Sequence, residues 1–336
     1  MNLNENYTKL DPSGVEKALN LFPEQIKNTY SQAVRAFTPE LKFDSIIVSG
    51  MGGSSNAGKV VQGLLEPTYN KPFAVYNDYG LPAWVNKNTL VIVNSYSGNT
   101  EESLSAYEKA KGLGCQTIGI STGGKISDVV IDPKDTNPTG FPKTGLGVSL
   151  GSLFGVLQSI GVMTNVELEL EKSLAELIEI RKTWNTKETA EWLRGSIPVL
   201  FGGRPLLGAL NAGRNAMCEI SRNFTEFYDF PEVNHVLVEA AGKPQAALQK
   251  KYLFFESNFN NERVNLRYQI TKDIFKEQGI ETNNYVLTSK TILGQSLELA
   301  HYCAWIGFYI SILDDTDPGP EPWILKLKSA LSQPAH

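Results

Sequence analysis

The sequence predicts an α/β protein made of two doubly wound parallel-sheet domains flanked by helices. Three observations predict it. Short β-rich runs alternate with helical stretches, a strand that meets a glycine turn and a helix occurs twice, and 336 residues suffice for about two domains. The composition agrees, since 41% hydrophobic and 20% charged residues are typical of a globular protein.

The chain opens with a helix pattern, because apolar residues recur at helical spacing over residues 13–36. Short β-rich runs follow at residues 46–48, 73–75, 90–93 and 117–120, with helical stretches between most of them. Strands that alternate with helices form a parallel sheet. We therefore predict a first domain over residues 1–165, with the N-terminal helix packed on it.

A second domain is predicted over residues 195–336. The charged helical stretch over residues 166–194 contains no β-rich run and is predicted to connect the two domains. Beyond it, a strand at residues 197–201 meets two glycines and a helix, as the first strand of the first domain does, which indicates a duplicated unit. Further β-rich runs at residues 252–255 and 285–287 continue the second sheet.

Charge, cysteine content and hydropathy exclude several classes of partner. The net charge of −5 leaves no basic surplus for nucleic acid. The three cysteines lack the spacing of a disulfide framework or a zinc site, which fits a reducing cytoplasm and no metal. The N-terminus lacks the pattern of a secretory signal. Residues 292–313 could span a membrane by length, but Gln295, Glu298 and His301 interrupt them, so a buried helix is predicted.

Two loops of the first domain form the predicted ligand site, because ligands of open α/β sheets bind beyond the carboxyl ends of the strands. The first, which we call the glycine loop, reads Gly-Met-Gly-Gly-Ser-Ser over residues 50–55 and lets backbone amides approach an anion. Residues 53–59 match GxxxxGK, but Val60 stands where a nucleotide-binding loop needs Ser or Thr. Ser55 replaces the third glycine of the dinucleotide pattern. No nucleotide or nicotinamide cofactor is therefore predicted.

The second loop, which we call the serine loop, reads Ser-Tyr-Ser-Gly-Asn-Thr-Glu-Glu over residues 95–102 and leads from a strand into a helix. Its three hydroxyls, with the free amides of a helix N-terminus, suit a phosphate monoester without any Lys or Arg. The alternative is ordinary helix capping, with Glu101 and Glu102 complementing the helix dipole. Capping needs one hydroxyl and the loop has three, which favours phosphate binding.

These motifs resemble a known family. The glycine and serine loops resemble the sugar isomerase (SIS) domain, a phosphosugar-binding α/β fold. The second half resembles the bifunctional phosphoglucose/phosphomannose isomerases through Glu-Ile-Ser-Arg at 219–222, Pro-Glu-Val-Asn-His at 231–235, Asp-Pro-Gly-Pro at 317–320 and Leu-Lys at 327–328. The resemblance implies two SIS-type domains, a homodimer without metal or organic cofactor, and interconversion of aldose and ketose 6-phosphates.

The resemblance also implies a role for individual residues. The residues implied to hold the phosphate are Gly53, Ser54, Ser95, Ser97 and Thr100. Glu219 would be the catalytic base, and His235 and Lys328 would serve ring opening, with His235 reaching the site of the neighbouring subunit. The chemistry itself requires such groups, because moving a proton between adjacent carbons through an enediolate needs a carboxylate base and a cation for the oxyanion.

Each assignment has an alternative. Apolar neighbours could desolvate Glu219 and raise its pKa, whereas a surface glutamate would have no such role. His301 lies in the apolar helix pattern and is predicted to be a hydrogen-bonded packing residue, which leaves His235 as the preferred catalytic histidine. Lys326 and Lys328 could both be solvated charges on a terminal helix, and only the family spacing favours Lys328.

The sequence departs from the family at three places. Lys143 stands where the family usually has arginine, and it is a candidate oxyanion or substrate contact that keeps the charge without bidentate geometry. Gly319 replaces the threonine between two prolines, and residues 236–238 after the histidine are apolar. The leading hypothesis is isomerisation of glucose 6-phosphate, with mannose 6-phosphate as an open second substrate. The alternatives are isomerisation of another sugar phosphate and a non-catalytic phosphosugar-binding protein.

Overall fold

A computed structural model describes residues 8–36 and 40–331 and contains two parallel sheets. The first sheet has the strands β1 (Ser45–Ser49), β2 (Phe73–Tyr76), β3 (Thr89–Asn94), β4 (Gln116–Ser121) and β5 (Val129–Val130). Their order is β2-β1-β3-β4-β5, and every neighbouring pair is parallel. The chain moves in opposite directions along the sheet from β1 and β3, so a cleft opens between the carboxyl ends of these two strands.

The second sheet repeats the core of this topology. Its strands are β6 (Ile197–Gly203), β7 (Glu226–Phe230), β8 (Lys250–Glu256) and β9 (Thr282–Val286). The order β7-β6-β8-β9 is again all parallel, which places a second cleft between the carboxyl ends of β6 and β8. The predicted fold class is confirmed. The sequence missed β5, which has two residues, and β7, whose first four residues are only half-buried.

Twelve helices surround the sheets in the part of the chain that is described. They are α1 (Val15–Asn20), α2 (Phe22–Ala36), α3 (Gly52–Leu65), α4 (Glu101–Gly112), α5 (Leu146–Ser159), α6 (Val166–Ile180), α7 (Thr186–Leu193), α8 (Leu207–Ile220), α9 (Leu237–Ala240), α10 (Glu262–Glu277), α11 (Ile292–Leu313) and α12 (Pro322–Leu331). The stretch predicted as a connector is occupied by α6 and α7, and the exact domain boundaries remain a prediction. The single helix predicted over residues 13–36 is two helices, because the chain turns at Leu21.

The N-terminal helix α2 packs along α5, as a predicted packing element should. Gly147, Gly151 and Gly155 repeat at every fourth position of α5, and a Cβ at any of them would meet α2 within 3 Å. Gln25 of α2 donates a hydrogen bond from Nε2 to the carbonyl oxygen of Thr144, at 2.9 Å. The N-terminal segment thus supports the turn that precedes α5.

Helices α3 and α8 join the two sheets by close backbone contact. A Cβ at Gly208 would collide with the backbone of Lys59, and one at Gly63 would lie 2.8 Å from the carbonyl oxygen of Pro205. Asn215 Nδ2, further along α8, donates to Asn56 Oδ1 at 3.3 Å. The helices therefore run antiparallel, and the end of α8 lies beside the start of α3.

Helix α11 crosses the core. Among the described helices it alone is long and apolar enough to span a membrane, but the whole of its apolar window is buried inside the protein. Its carboxylate, Glu298, accepts hydrogen bonds from the Ser289 amide at 2.9 Å and from the Tyr285 hydroxyl at 2.8 Å. The prediction of a buried helix is confirmed.

Candidate active site

The serine loop turns sharply from β3 into α4. Gly98 makes the turn with φ +65°, and a Cβ there would collide with the carbonyl oxygen of Gly123. The Ser95 hydroxyl donates to Thr100 Oγ1 at 3.3 Å, and Ser97 is exposed at the tip. Thr100 occupies the N-cap position, but its side chain makes no capping hydrogen bond. This geometry leaves the first amides of α4 open to an anion, which favours phosphate binding over simple capping.

The glycine loop lies against the serine loop. Ser54 Oγ accepts a hydrogen bond from the Tyr96 amide at 3.0 Å, and Asn94 Nδ2 donates to the Ser54 carbonyl oxygen at 3.1 Å. Gly53 lies in the first turn of α3, whose N-cap residue Met51 offers no side-chain cap. The five residues implied to hold phosphate thus share the first cleft, at the N-termini of two helices.

Glu219 lies one residue from the end of α8 and reaches this cleft from the second domain. Burial is the main cause that raises the pKa of Glu219 to about 7, and repulsion by Glu321 adds to it, while Lys143, Lys328 and Arg214 act in the opposite direction. A carboxylate with a pKa near neutrality can accept and return a proton at physiological pH.

Lys143 is the buried cation of the site. The turn Pro142–Thr144 presents it from the first domain, and its side chain is fully shielded from solvent. Its Nζ donates to the carbonyl oxygen of Glu219 at 3.3 Å and lies 3.5 Å from Glu321 Oε1. Burial lowers the pKa of Lys143, and the neighbouring carboxylates partly oppose that effect. The predicted contact residue therefore bridges the two domains next to the predicted base.

A small cavity of about 30 Å³ connects these groups. Its polar lining comes from both domains and consists of Asn56, Lys143, Thr144, Asn215, Glu219 and His301, with Gly53 at its edge. The volume suits about one water molecule and is too small for a sugar ring.

His301 lines this cavity and has a packing role. Its ring stacks on Phe22 with centroids 4.6 Å apart, and its Nε2 accepts a hydrogen bond from Trp305 Nε1 at 3.2 Å. Burial lowers the pKa of His301 to about 3, which keeps it neutral. It fits the hydrogen-bonded packing histidine that the sequence predicts.

The segment over residues 317–321 closes one side of the site. Arg222 Nη2 donates to the carbonyl oxygens of Asp317 at 3.0 Å and Pro320 at 2.8 Å, which positions Glu321 beside Lys143. A Cβ at Gly319 would collide with the side chain of Ser13. The sequence missed roles for Arg222 and Glu321, although both belong to or adjoin the motifs that carry the family resemblance.

The two remaining predicted residues do not line the cavity. His235 is exposed at the end of the turn Glu232–His235. Lys328 is exposed on α12 but close enough to Glu219 to lower its pKa. The structure therefore brings together the glycine loop, the serine loop, Lys143 and Glu219. Lys328 lies at the edge of this group, and His235 lies outside it.

Two family models match the chain. The one described as "SIS domain" matches residues 42–129, which contain both loops of the first cleft. The one described as "Bacterial phospho-glucose isomerase C-terminal SIS domain" matches residues 183–331, which contain Glu219, His235 and Lys328.

Relatives of nearly full length share one description. A bifunctional phosphoglucose/phosphomannose isomerase from Aquifex aeolicus is 31% identical over 298 residues, covering 87% of this chain and 92% of that protein. One from Caldicellulosiruptor bescii is 28% identical over 337 aligned positions, covering 95% and 98%. Among solved structures, the C-terminal domain of glucosamine-fructose-6-phosphate aminotransferase from Francisella tularensis matches with a TM-score of 0.64 at 13% identity, covering 90% of this chain and 97% of that one. That structural likeness shows the fold alone.

Proposed function

The chain belongs to the bifunctional phosphoglucose/phosphomannose isomerase family, and from this membership we infer that it isomerises hexose 6-phosphates. We propose glucose 6-phosphate and fructose 6-phosphate as the principal pair. The observation that carries the proposal is a carboxylate with a pKa of about 7, Glu219, beside the buried cation Lys143 at an open helix-terminal cleft. A cytoplasmic place in carbohydrate metabolism is part of the proposal, and the three unpaired cysteines suit it.

The phosphate group binds in the first cleft. The amides of the first turns of α3 and α4 and the hydroxyls of Ser54, Ser95, Ser97 and Thr100 provide donors at two positive helix ends. This cradle fixes only the phosphate and leaves the carbon chain to reach the domain interface. Catalysis gains from that anchoring, because it holds the reacting carbons near the base.

The proton transfer uses Glu219. Once the sugar ring is open, ionised Glu219 removes the proton from C2 of glucose 6-phosphate, and the C2–H electrons form the enediolate with C1 and its oxygen. The hydroxyl proton on O2 then passes to O1, and the same carboxyl group, now protonated, returns its proton to C1, so that the C2–O2 carbonyl of the ketose forms. Lys143 supplies the positive charge that stabilises the developing oxyanion.

We further propose that His235 acts across a homodimer interface. His235 lies outside the group around Glu219, and apolar side chains are exposed around it and on α12, including Val236 at 63% and Trp323 at 74% exposure. Exposed apolar surface of this kind is typical of a protein interface. A second copy would cover it and could present His235 to the neighbouring site, where it would exchange a proton with the ring oxygen.

Direct assay with purified protein tests the activity. Glucose 6-phosphate and mannose 6-phosphate are each supplied alone, and fructose 6-phosphate is measured by coupled detection. Formation of fructose 6-phosphate from glucose 6-phosphate is the expected result. Tight binding of both sugars without turnover of either would instead identify a non-catalytic phosphosugar-binding protein.

Subunit mixing tests the shared site. Glu219→Gln and His235→Ala should each be nearly inactive alone. A mixed dimer has one site with both groups intact, so about a quarter of wild-type activity should return after random exchange. A mixture that stays inactive, although sedimentation shows mixed dimers, would place both residues of a site in one chain.

A further inference from the structure

The second cleft, between the carboxyl ends of β6 and β8, occupies the same topological position as the phosphate cradle of the first sheet. In both sheets the first and third strands are neighbours, and the chain leaves them in opposite directions. Ligands of open α/β sheets bind at this position. The second cleft holds a cavity of about 720 Å³, a volume suited to a small metabolite.

Arginines replace hydroxyls in the lining of this cavity. Arg204 follows β6, while Arg263 and Arg267 are four residues apart in the first turns of α10 and so share one face of the helix. The N-terminus of α10 adds its own partial positive charge. The cavity is therefore electropositive at its base, although the net charge of the whole chain is −5.

The carboxylate of the lining offsets only one of these charges. Glu66, at the end of α3, pairs with Arg204 at 3.3 Å. Among the described residues, Arg267 Nη1 donates to the neutral Asn234 Oδ1 alone, at 3.3 Å. Within residues 8–36 and 40–331, neither Arg263 nor Arg267 forms an ion pair with a carboxylate. Two guanidinium groups thus remain available to an anion.

The other walls suit a sugar. Phe259 lines the cavity and is 38% exposed, so its side chain offers apolar surface to the carbon skeleton of a ligand. Asn260 also lines it, and its Nδ2 donates a hydrogen bond to Asn265 Oδ1 at 3.2 Å, so this wall contains polar amides as well.

We propose that the second cleft is a phosphate-ester binding site, separate from the serine loop, which takes the phosphate of a small sugar phosphate between Arg263 and Arg267. The site binds without reacting, because the described residues of its lining include no lysine beside a carboxylate of raised pKa, as Lys143 lies beside Glu219 in the first cleft. It does not depend on the proposed isomerisation, since the second equivalent is counted whether or not the first cleft turns its ligand over.

Calorimetric titration of the full chain tests the proposal. Glucose 6-phosphate is the ligand in one titration and inorganic phosphate in another. We expect two equivalents of glucose 6-phosphate per chain. Arg263→Gln with Arg267→Gln should remove one, or weaken it at least about tenfold, because each lost charge-assisted hydrogen bond weakens phosphate binding. Ser95→Ala with Ser97→Ala should weaken the other. Inorganic phosphate shows whether the cleft recognises the phosphate alone or needs the sugar as well.

The matched control is Lys276→Gln, which removes a cation from the opposite end of the same helix. It should leave both equivalents in place, and thermal melts verify that every variant folds. A single equivalent in wild type that the arginine variant leaves unchanged would overturn the proposal. So would a loss of affinity of the same size in the lysine control.

Discussion

The two clefts of this protein have the same topology but are lined by different kinds of side chain. In the first, hydroxyls and helix amides face the ligand position, and Glu219 and Lys143 approach from the domain interface. In the second, arginines line the base, and the carboxylate of the lining, Glu66, is exposed and paired. Topology thus places a comparable cleft in each sheet, while the side chains of the loops decide what each cleft can do.

The contrast also concerns burial. Lys143 has a fully buried side chain and Glu219 a pKa of about 7, so both are held in a low-dielectric environment where charge acts strongly. Arg204 and Glu66 keep more than half of their side chains exposed, where solvent screens them. The first cleft is therefore the one suited to moving a proton.

The largest expected effect is the loss of the base. Glu219→Gln should lower kcat for glucose 6-phosphate by roughly 1,000-fold, the usual scale for removing a general base, because glutamine cannot accept the C2 proton. The steady-state rate of fructose 6-phosphate formation measures it. Glu171→Gln, an exposed carboxylate on α6, is the control. Wild-type kcat in Glu219→Gln would eliminate this residue as the base and remove the catalytic distinction between the clefts.

A smaller effect is expected at the phosphate cradle. Ser97→Ala should raise KM for glucose 6-phosphate by about 10-fold to 100-fold, since one hydrogen bond to a charged group is worth about 1.5–3 kcal/mol. Initial-rate kinetics measure this, with Ser31→Ala on α2 as the control. An unchanged KM would move the phosphate away from the first cleft and contradict the assignment of roles to the two clefts.

Most strands of both sheets and the serine loop could be predicted from the sequence, because each is encoded in a short continuous stretch of residues. The strands β1, β3, β6 and β8 are apolar runs bounded by glycines or polar loops, and the serine loop is contiguous. The family resemblance selected Glu219 from among many carboxylates. The strand β7 was missed because its alternating Glu-Phe-Tyr-Asp-Phe pattern is short and only half-buried.

The rest depends on long-range contact. Glu321 approaches Lys143 although 178 residues separate them along the chain, and no local pattern predicts that pairing. The electropositive lining of the second cleft was also hidden, since Arg204 and Arg263 lie 59 residues apart, and the sequence showed only that the serine cluster is absent there.

The burial that raises the pKa of Glu219 should lower the free energy of unfolding by an amount that depends on pH. The folded pKa of Glu219 is about 7 against an ordinary value of 4.5, so the native state binds more protons than the unfolded state between these values. The contribution of this group is therefore favourable below pH 4.5 and is lost as the pH rises through 7. Glu219→Gln should be more stable than wild type at pH 8 by on the order of 2 kcal/mol.

Urea denaturation at several pH values measures this difference. The stability gained by Glu219→Gln relative to wild type should grow between pH 5 and 8, whereas Glu171→Gln should show no such growth. If the Glu219→Gln difference is the same at both pH values, the carboxyl group is not desolvated in the folded protein, and the contrast in burial between the two clefts is lost.

The smallest expected effect is a displacement of the pH profile. Lys143 lowers the pKa of Glu219, so Lys143→Met should raise that pKa. Because the ionised carboxylate is the active base, activity rises with pH through the pKa of Glu219, and the acidic limb of kcat/KM should move to higher pH. Lys134→Met, an exposed lysine nine residues earlier, is the control. A limb that stays in place would mean that Lys143 acts on the substrate alone and leaves the proton affinity of Glu219 unchanged.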